Sequence, residues 1–336
     1  MKTREVPKLP LDDVTASDAV CQVLCDMAER DSSLWVLTAD VMRTTKTQPF
    51  AKAFPDRFLN VGIAEQCMVG IAAGLATCGK VPIVTAFAAM LSMRACEQIR
   101  TDLAYANLNV KIIASAAGFA AGYAGPTHHA TEDIAILRAM ANMTVIVPCD
   151  ARETREAVRA ALGWPGPVYI RIGGRGNDYT VYAETLDYQI GRAIVVRDGT
   201  DVTFISCGRT VAECVVASEL LQQEGIQARV LDMHTVKPID VMAVERAASQ
   251  TRMVFTVEDH NVVGGLGGAV AEVMAELKSS APLKRLGIPD TYAVIGSADA
   301  LLDRYGLTGS RIADTVMGSL RLSGTGGSGH HRAISG

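Results

Sequence analysis

The sequence predicts two α/β domains, each built on a largely parallel sheet flanked by helices. Three observations carry this. Short runs rich in Val and Ile alternate with longer helix-patterned stretches along most of the chain. The short runs are unbroken rather than alternating, as strands covered on both faces read. Finally, 336 residues that are 49% hydrophobic but only 5% aromatic exceed one ordinary core, and small side chains let helices lie close on sheets.

The first block is expected over residues 10–180. Its strands read at 34–38, 82–85, 110–114, 144–147 and 168–172. Its helices read at 17–30, 65–78, 88–105, 132–140 and 151–162. Thr15 and Asp18 supply a start for the first helix and Asp150 one for the last. Residues 173–189 are polar, Gly-rich and aperiodic, which marks a linker. The second block, 190–320, repeats the alternation. Strands read at 202–206, 228–232, 253–257 and 283–288, and helices at 211–224, 241–248, 268–278 and 300–305. Residues 321–336, with the low-complexity run SGTGGSGHHRAISG, are expected to be a flexible tail.

Composition narrows function. The net charge of −4 argues against a nucleic-acid binder, which normally carries a basic face. No apolar window is long enough to span a membrane, and MKTREVPKLPLDD lacks the apolar core of a signal peptide. A cytoplasmic location is expected. The eight cysteines are scattered without C-x-x-C spacing and read as reduced, mostly buried thiols.

Four segments carry possible chemistry. Glu65 follows a strand end and opens an almost wholly apolar helix, so its carboxyl enters dry surroundings and can hold a short hydrogen bond to a ring nitrogen. Phe87, in TAFAAM, lies at the C-terminal end of a strand, where open α/β sheets place ligands, and an aromatic there can stack on a heterocycle. A Gly/Pro-rich loop, GYAGPTHH, places His128 and His129 before a helix; an acid–base or hydroxyl-binding His suits it better than a metal site. VEDHNVVGGLGG puts glycines between a strand and a helix, which suits either a tight turn or a phosphate cradle.

In order, GIAEQ, TAF, GPTHH with a following ED, VIVPCDARE, LDMHTVKPID and VEDHNVVGGLG resemble transketolase. The resemblance spans residues 10–320 and corresponds to the pyrimidine-binding and C-terminal domains of a full-length enzyme. The chain thus looks like the C-terminal subunit of a split transketolase, transferring a two-carbon ketol unit from a ketose to an aldehyde or ketone.

That resemblance implies thiamine diphosphate as cofactor. It assigns Glu65 to N1′ of the aminopyrimidine, Phe87 to its ring face, and Asp40 and Met90 to the cofactor's surroundings. His128 would contact the sugar's first hydroxyl and act as the second catalytic residue. Arg171 and Arg175 are equal candidates for a substrate phosphate. Two positions depart from the family pattern: Tyr123-Ala124 replaces Glu-Asp before Gly125-Pro126, and Ala116 replaces a His. Both remove polar contacts from the substrate funnel and point to a specialised pathway. The Gly-Asp-Gly…Asn segment that holds Mg2+ and the diphosphate is missing, with Asp198-Gly199 reading as a turn. A separate diphosphate-binding subunit and an α2β2 assembly are therefore implied. Two other readings are the β subunit of a 2-oxoacid dehydrogenase first component and a non-catalytic scaffold subunit.

Overall fold

The computed structural model describes residues 6–325, apart from 8, 12, 174–178, 184, 185, 279 and 280. Helix α1 (Ala16–Ala28) starts with a reciprocal cap: Asp18 N donates to Thr15 Oγ1, and Thr15 N donates to Asp18 Oδ2. Next come β1 (Leu34–Thr38), α2 (Gln48–Ala53), β2 (Phe58–Asn60), α3 (Glu65–Thr77) and β3 (Val81–Phe87). The expected long helix after β3 is wound unevenly. π-helical turns at Met90–Arg94 and Ile99–Tyr105 flank a short α4 (Cys96–Gln98), a winding often found near functional sites. The first half closes with β4 (Lys111–Ser115), α5 (Asp133–Arg138), β5 (Thr144–Ile146), α6 (Ala151–Gly163) and β6 (Val168–Arg171). Asp150 caps α6 by accepting from Glu153 N at 2.8 Å.

The second half runs β7 (Ile194–Arg197), β8 (Val202–Ser206), α7 (Thr210–Gln223), β9 (Ala228–Asp232), β10 (Thr235–Lys237), α8 (Val241–Gln250), β11 (Met253–Asn261), α9 (Leu266–Ala275), β12 (Leu283–Ile288), α10 (Ala298–Arg304) and α11 (Gly309–Thr325). α11 carries regular structure into the stretch read as a tail, and residues 326–336 lie outside the described residues.

The strands form two sheets, ordered β10-β5-β6-β4-β3-β1-β2 and β12-β11-β8-β9-β7. All neighbours are parallel except β10 on β5 and β7 on β9. The unbroken apolar runs explain themselves in the first sheet. Leu37, Val84, Ile112, Val145 and Tyr169 face one core, while Val36, Ile83, Ile113, Ile146 and Ile170 face another. Successive residues of a strand point to opposite faces, so a sheet covered on both sides needs apolar residues at every position.

β10 belongs to the second half of the sequence but pairs with β5 of the first sheet, Thr235 opposite Ile146. Val147 N donates to His234 O at 2.7 Å, and Gly208 N donates to Val147 O at 3.0 Å. The two halves are thus stitched through the main chain. Among the described residues, no helix is long and apolar enough to cross a membrane.

Candidate active site

The parallel strands of the first sheet end together, and the chemistry gathers on that edge. Thr38, the last residue of β1, lies opposite both Asn60 of β2 and Thr85 of β3, and Phe87 lies opposite Ser115 of β4. Just beyond β1 the chain turns through Asp40, a non-glycine residue at φ +57°. Asn60 secures the turn: its Oδ1 accepts from Asp40 N and Gly62 N, and its Nδ2 donates to Asp40 Oδ1. Asp40 itself is exposed at this edge. The clasp and the turn at Gly62 lead the chain directly into α3.

Glu65 is the first residue of α3, where a carboxylate is favoured by the helix dipole. It is only 4% exposed, and its Oε2 accepts from Arg94 Nη1 at 2.7 Å. Arg94 ends the π-helical turn that begins at Met90, three residues after Phe87. A short path of chain therefore links Phe87, Met90, Arg94 and the carboxyl of Glu65. Sequence reasoning missed Arg94; the available signal was a single cation inside the apolar run AAMLSMRA.

His128 joins from the other side. Its ring meets Phe87 edge-on at 5.7 Å between centroids, and its Nδ1 is 2.9 Å from Thr127 Oγ1. The loop bearing it is closed by paired hydrogen bonds between Gly118 and Ala130. His129 diverges into the core, with Nε2 on Gly122 O at 3.1 Å and its ring against Phe119. The adjacent histidines therefore form no metal pair. Tyr123 and Ala124 are exposed on the same loop, and Ala116 sits buried at φ +56°, past the end of β4.

Arg171 requires a correction. It is 3% exposed, and all three of its guanidinium nitrogens are already engaged by groups of the protein rather than open to a substrate phosphate. Nε donates to Asp133 Oδ2 at 2.9 Å, Nη1 to Asp259 Oδ1 at 2.7 Å, and Nη2 to Ala130 O at 3.0 Å and Asp259 O at 3.2 Å. Tyr169 adds a 2.7 Å bond to Asp133 Oδ2. Burial alone would lower the pKa of the guanidinium, but Asp133 and Asp259 outweigh it and raise the value above its ordinary level. Arg171 thus ties the His128 loop to β11 of the second half. Arg175 lies outside the described residues.

The glycine-rich turn before α9 is also not an open phosphate cradle. Glu258 fills it, its two oxygens accepting from Leu266 N at 2.7 Å and Gly267 N at 2.8 Å. A Cβ on Gly265 would overlap Glu258 Oε2. Burial pushes the Glu258 carboxyl above its usual range, offset in part by His260 and those amides. Asp198-Gly199 is a turn, with Asp198 Oδ1 accepting from Gly199 N and Arg229 Nε.

The residues on the strand edge fit the pyrimidine half of thiamine diphosphate. Glu65 offers a buried carboxyl with one oxygen already oriented by a cation, and Phe87 offers a half-covered ring on a neighbouring strand. Among the described residues, the one cluster with metal-ligand spacing is Cys149, Glu153 and Asp232, which belongs to β9 and the start of α6 and not to this edge.

Residues 12–175 match the transketolase pyrimidine-binding domain and residues 191–312 the transketolase C-terminal domain. The chain belongs to the transketolase family. It is 43% identical over 302 residues to a transketolase C-terminal section of Methanocaldococcus jannaschii, covering 89% of this chain and 94% of that protein. It is 40% identical over 294 residues to one of the apulose-4-phosphate transketolase subunits of Phocaeicola vulgatus, covering 88% and 94%. A solved split-gene transketolase, described as an inactive β4 tetramer, superposes with a TM-score of 0.83 at 42% identity over 93% of this chain and 99% of that one. These relatives are nearly the same length as this chain and are named, respectively, as a C-terminal section, a subunit and a split-gene transketolase.

Proposed function

We propose that this chain is the pyrimidine-binding subunit of a two-part, thiamine-diphosphate-dependent transketolase. The observation that carries the reading is Glu65: a buried carboxyl at a helix start, oriented by Arg94, on the edge shared with Phe87 and His128. When bound, thiamine diphosphate supplies an electron sink for breaking a carbon–carbon bond beside a ketone. Glu65 holds the proton at N1′ of the pyrimidine, and Arg94 fixes the carboxyl so that one oxygen remains directed at that nitrogen. Phe87 covers the ring face, with Met90 and Asp40 beside it. His128, oriented by Thr127, binds the first hydroxyl of the sugar and moves its proton.

The Mg2+ and diphosphate are assigned to a separate N-terminal subunit, because the Gly-Asp-Gly…Asn pattern is missing from this sequence, with an α2β2 assembly as the simplest form. Ala116 and Ala124, standing where the family carries polar contacts, favour a ketose outside the ordinary pentose phosphates. The apulose-4-phosphate activity named for one relative is in keeping with that. Arg175 is the remaining candidate for a substrate phosphate.

The test is exchange of the cofactor's C2 proton in the assembled complex, followed by NMR. Glu65→Gln keeps the shape but cannot supply the proton, and exchange should slow by roughly 10²–10⁴, the usual scale of general acid–base catalysis. Exchange at the wild-type rate would remove Glu65 from the mechanism.

A further inference from the structure

A polar cluster at the seam between the two halves has no part in the chemistry above. Cys149 stands immediately before the Asp150 cap of α6, Glu153 lies in the first turn of that helix, and Asp232 ends β9. One ligand atom from each, a sulfur and two carboxylate oxygens, lie within 4.8 Å of one another, and all three residues are buried.

Each carboxylate has one oxygen tied and one free. Glu153 Oε2 accepts from Cys149 N at 2.7 Å, and Asp232 Oδ2 accepts from the Tyr182 hydroxyl at 2.8 Å. Glu153 Oε1 and Asp232 Oδ1 are buried without a hydrogen-bond partner, as is the nearby Tyr188 hydroxyl. The other charged group beside them is an acid, Asp150, whose oxygens accept from Glu153 N, Val181 N and Tyr182 N. Among the described residues, no Lys or Arg side chain is paired with any of the three.

Two carboxylates facing each other in a dry interior, with no cation paired to them among the described residues, are strongly disfavoured. A cation placed between the free oxygens removes that penalty. Holding one carboxylate oxygen with a neighbouring donor while presenting the other is how outer-shell contacts orient metal ligands. The donor set of one sulfur and two oxygens suits a d¹⁰ ion of the zinc class; magnesium and calcium take oxygen ligands.

We propose that Cys149 Sγ, Glu153 Oε1 and Asp232 Oδ1 form a three-ligand site for a zinc-class divalent cation, with the fourth position left to a water molecule. On binding, the Cys149 thiol loses its proton to water and the sulfur lone pair goes to the ion. The site fastens the end of β9 to the start of α6, three residues before β10 enters the first sheet. It strengthens the joint between the halves and leaves the chemistry at Glu65 untouched.

The experiment is the metal content of the purified chain, alone and in complex with its partner, by mass spectrometry after dialysis, with thermal unfolding in parallel. We expect about one zinc per chain, a lower Tm after chelation and recovery on adding zinc, as for structural sites whose binding is linked to folding. Cys149→Ser and Asp232→Asn should each cut the bound zinc at least about tenfold, since each replaces an anionic ligand by a neutral one. Cobalt(II) in place of zinc should give a thiolate charge-transfer band that Cys149→Ser abolishes. A wild-type chain with no bound metal and no Tm response to zinc overturns the proposal; so does zinc retained undiminished in the double variant. If the metal-free chain instead loses stability as pH rises, and Glu153→Gln removes that slope, a proton shared between the carboxyls occupies the place of the ion and the proposal fails.

Discussion

Glu65 and Arg94 form the pair on which the site turns. Arg94 is 45% exposed while Glu65 itself is covered, so the cation stands at the mouth and the carboxyl behind it. Replacing Arg94 by Met keeps the apolar stem and removes the charge. A charge-assisted hydrogen bond contributes about 1.5–3 kcal/mol, so kcat/KM of the assembled enzyme should fall roughly ten- to a hundredfold, with partial recovery in Arg94→Lys. Unchanged kinetics would show that Glu65 is oriented by something else. Lys111 is a structural counterpart. Its Nζ lies within hydrogen-bonding distance of Asn109 Oδ1, Trp164 O and Gly166 O, and burial lowers its pKa from 10.5 to about 7. Between those values the unfolded chain binds the proton and the native chain does not. Stability therefore rises with pH through that window, by up to about 1.4 kcal/mol per unit, and is lost on descending toward 7. Urea unfolding at several pH values should show this rise for wild type relative to Lys111→Met; a difference that stays constant with pH would contradict it. Glu65, Phe87 and His128 were legible as candidates because each sits at a strand end or loop in a recognisable motif. The place of Arg171 was not, because a cation in apolar strand text is compatible both with a phosphate and with buried carboxylates 38 and 88 residues away in sequence.

At the scale of elements, the unbroken apolar strands were readable and the short edge strands were not. β1, β8, β9 and β12 fall on their expected residues. β7 and β10 are four and three residues long and exist because a neighbouring strand presents a free edge, which no local pattern encodes; of β2 only the end before Glu65 was readable. Nor does local periodicity distinguish a π turn from an α turn, so the break at Met90–Arg94 that delivers Arg94 to Glu65 was hidden inside an apparent helix. The His128 loop rests on one glycine. Gly118 sits at φ +54°, and a Cβ there would overlap Asp259 Oδ2. Gly118→Ala combines a strained backbone with a displaced Asp259, and should cost about 1–3 kcal/mol from the backbone alone. The loop should also loosen, read as faster amide exchange over residues 118–130. An unchanged stability and exchange pattern would mean that the Arg171 and Asp259 contacts do not set the loop.

For the molecule as a whole, two α/β halves with mostly parallel sheets followed from composition and alternation, whereas the join between them did not. β10 crosses into the first sheet, and Arg171 reaches across to Asp259, so the halves share a buried polar seam. Sequence patterning describes each half separately; contacts between halves depend on the folded surfaces. On the proposed reading, the strand edge gathers the side chains for a pyrimidine ring, and the sequence lacks the family's segment for a metal-bound diphosphate. A catalytic centre completed by a second chain is the central claim, and ketol transfer measured for this chain, for its diphosphate-binding partner and for their equimolar mixture tests it most directly. Neither chain alone should turn over substrate, and the mixture should do so in dependence on thiamine diphosphate and Mg2+. Full transfer by this chain alone would contradict that claim.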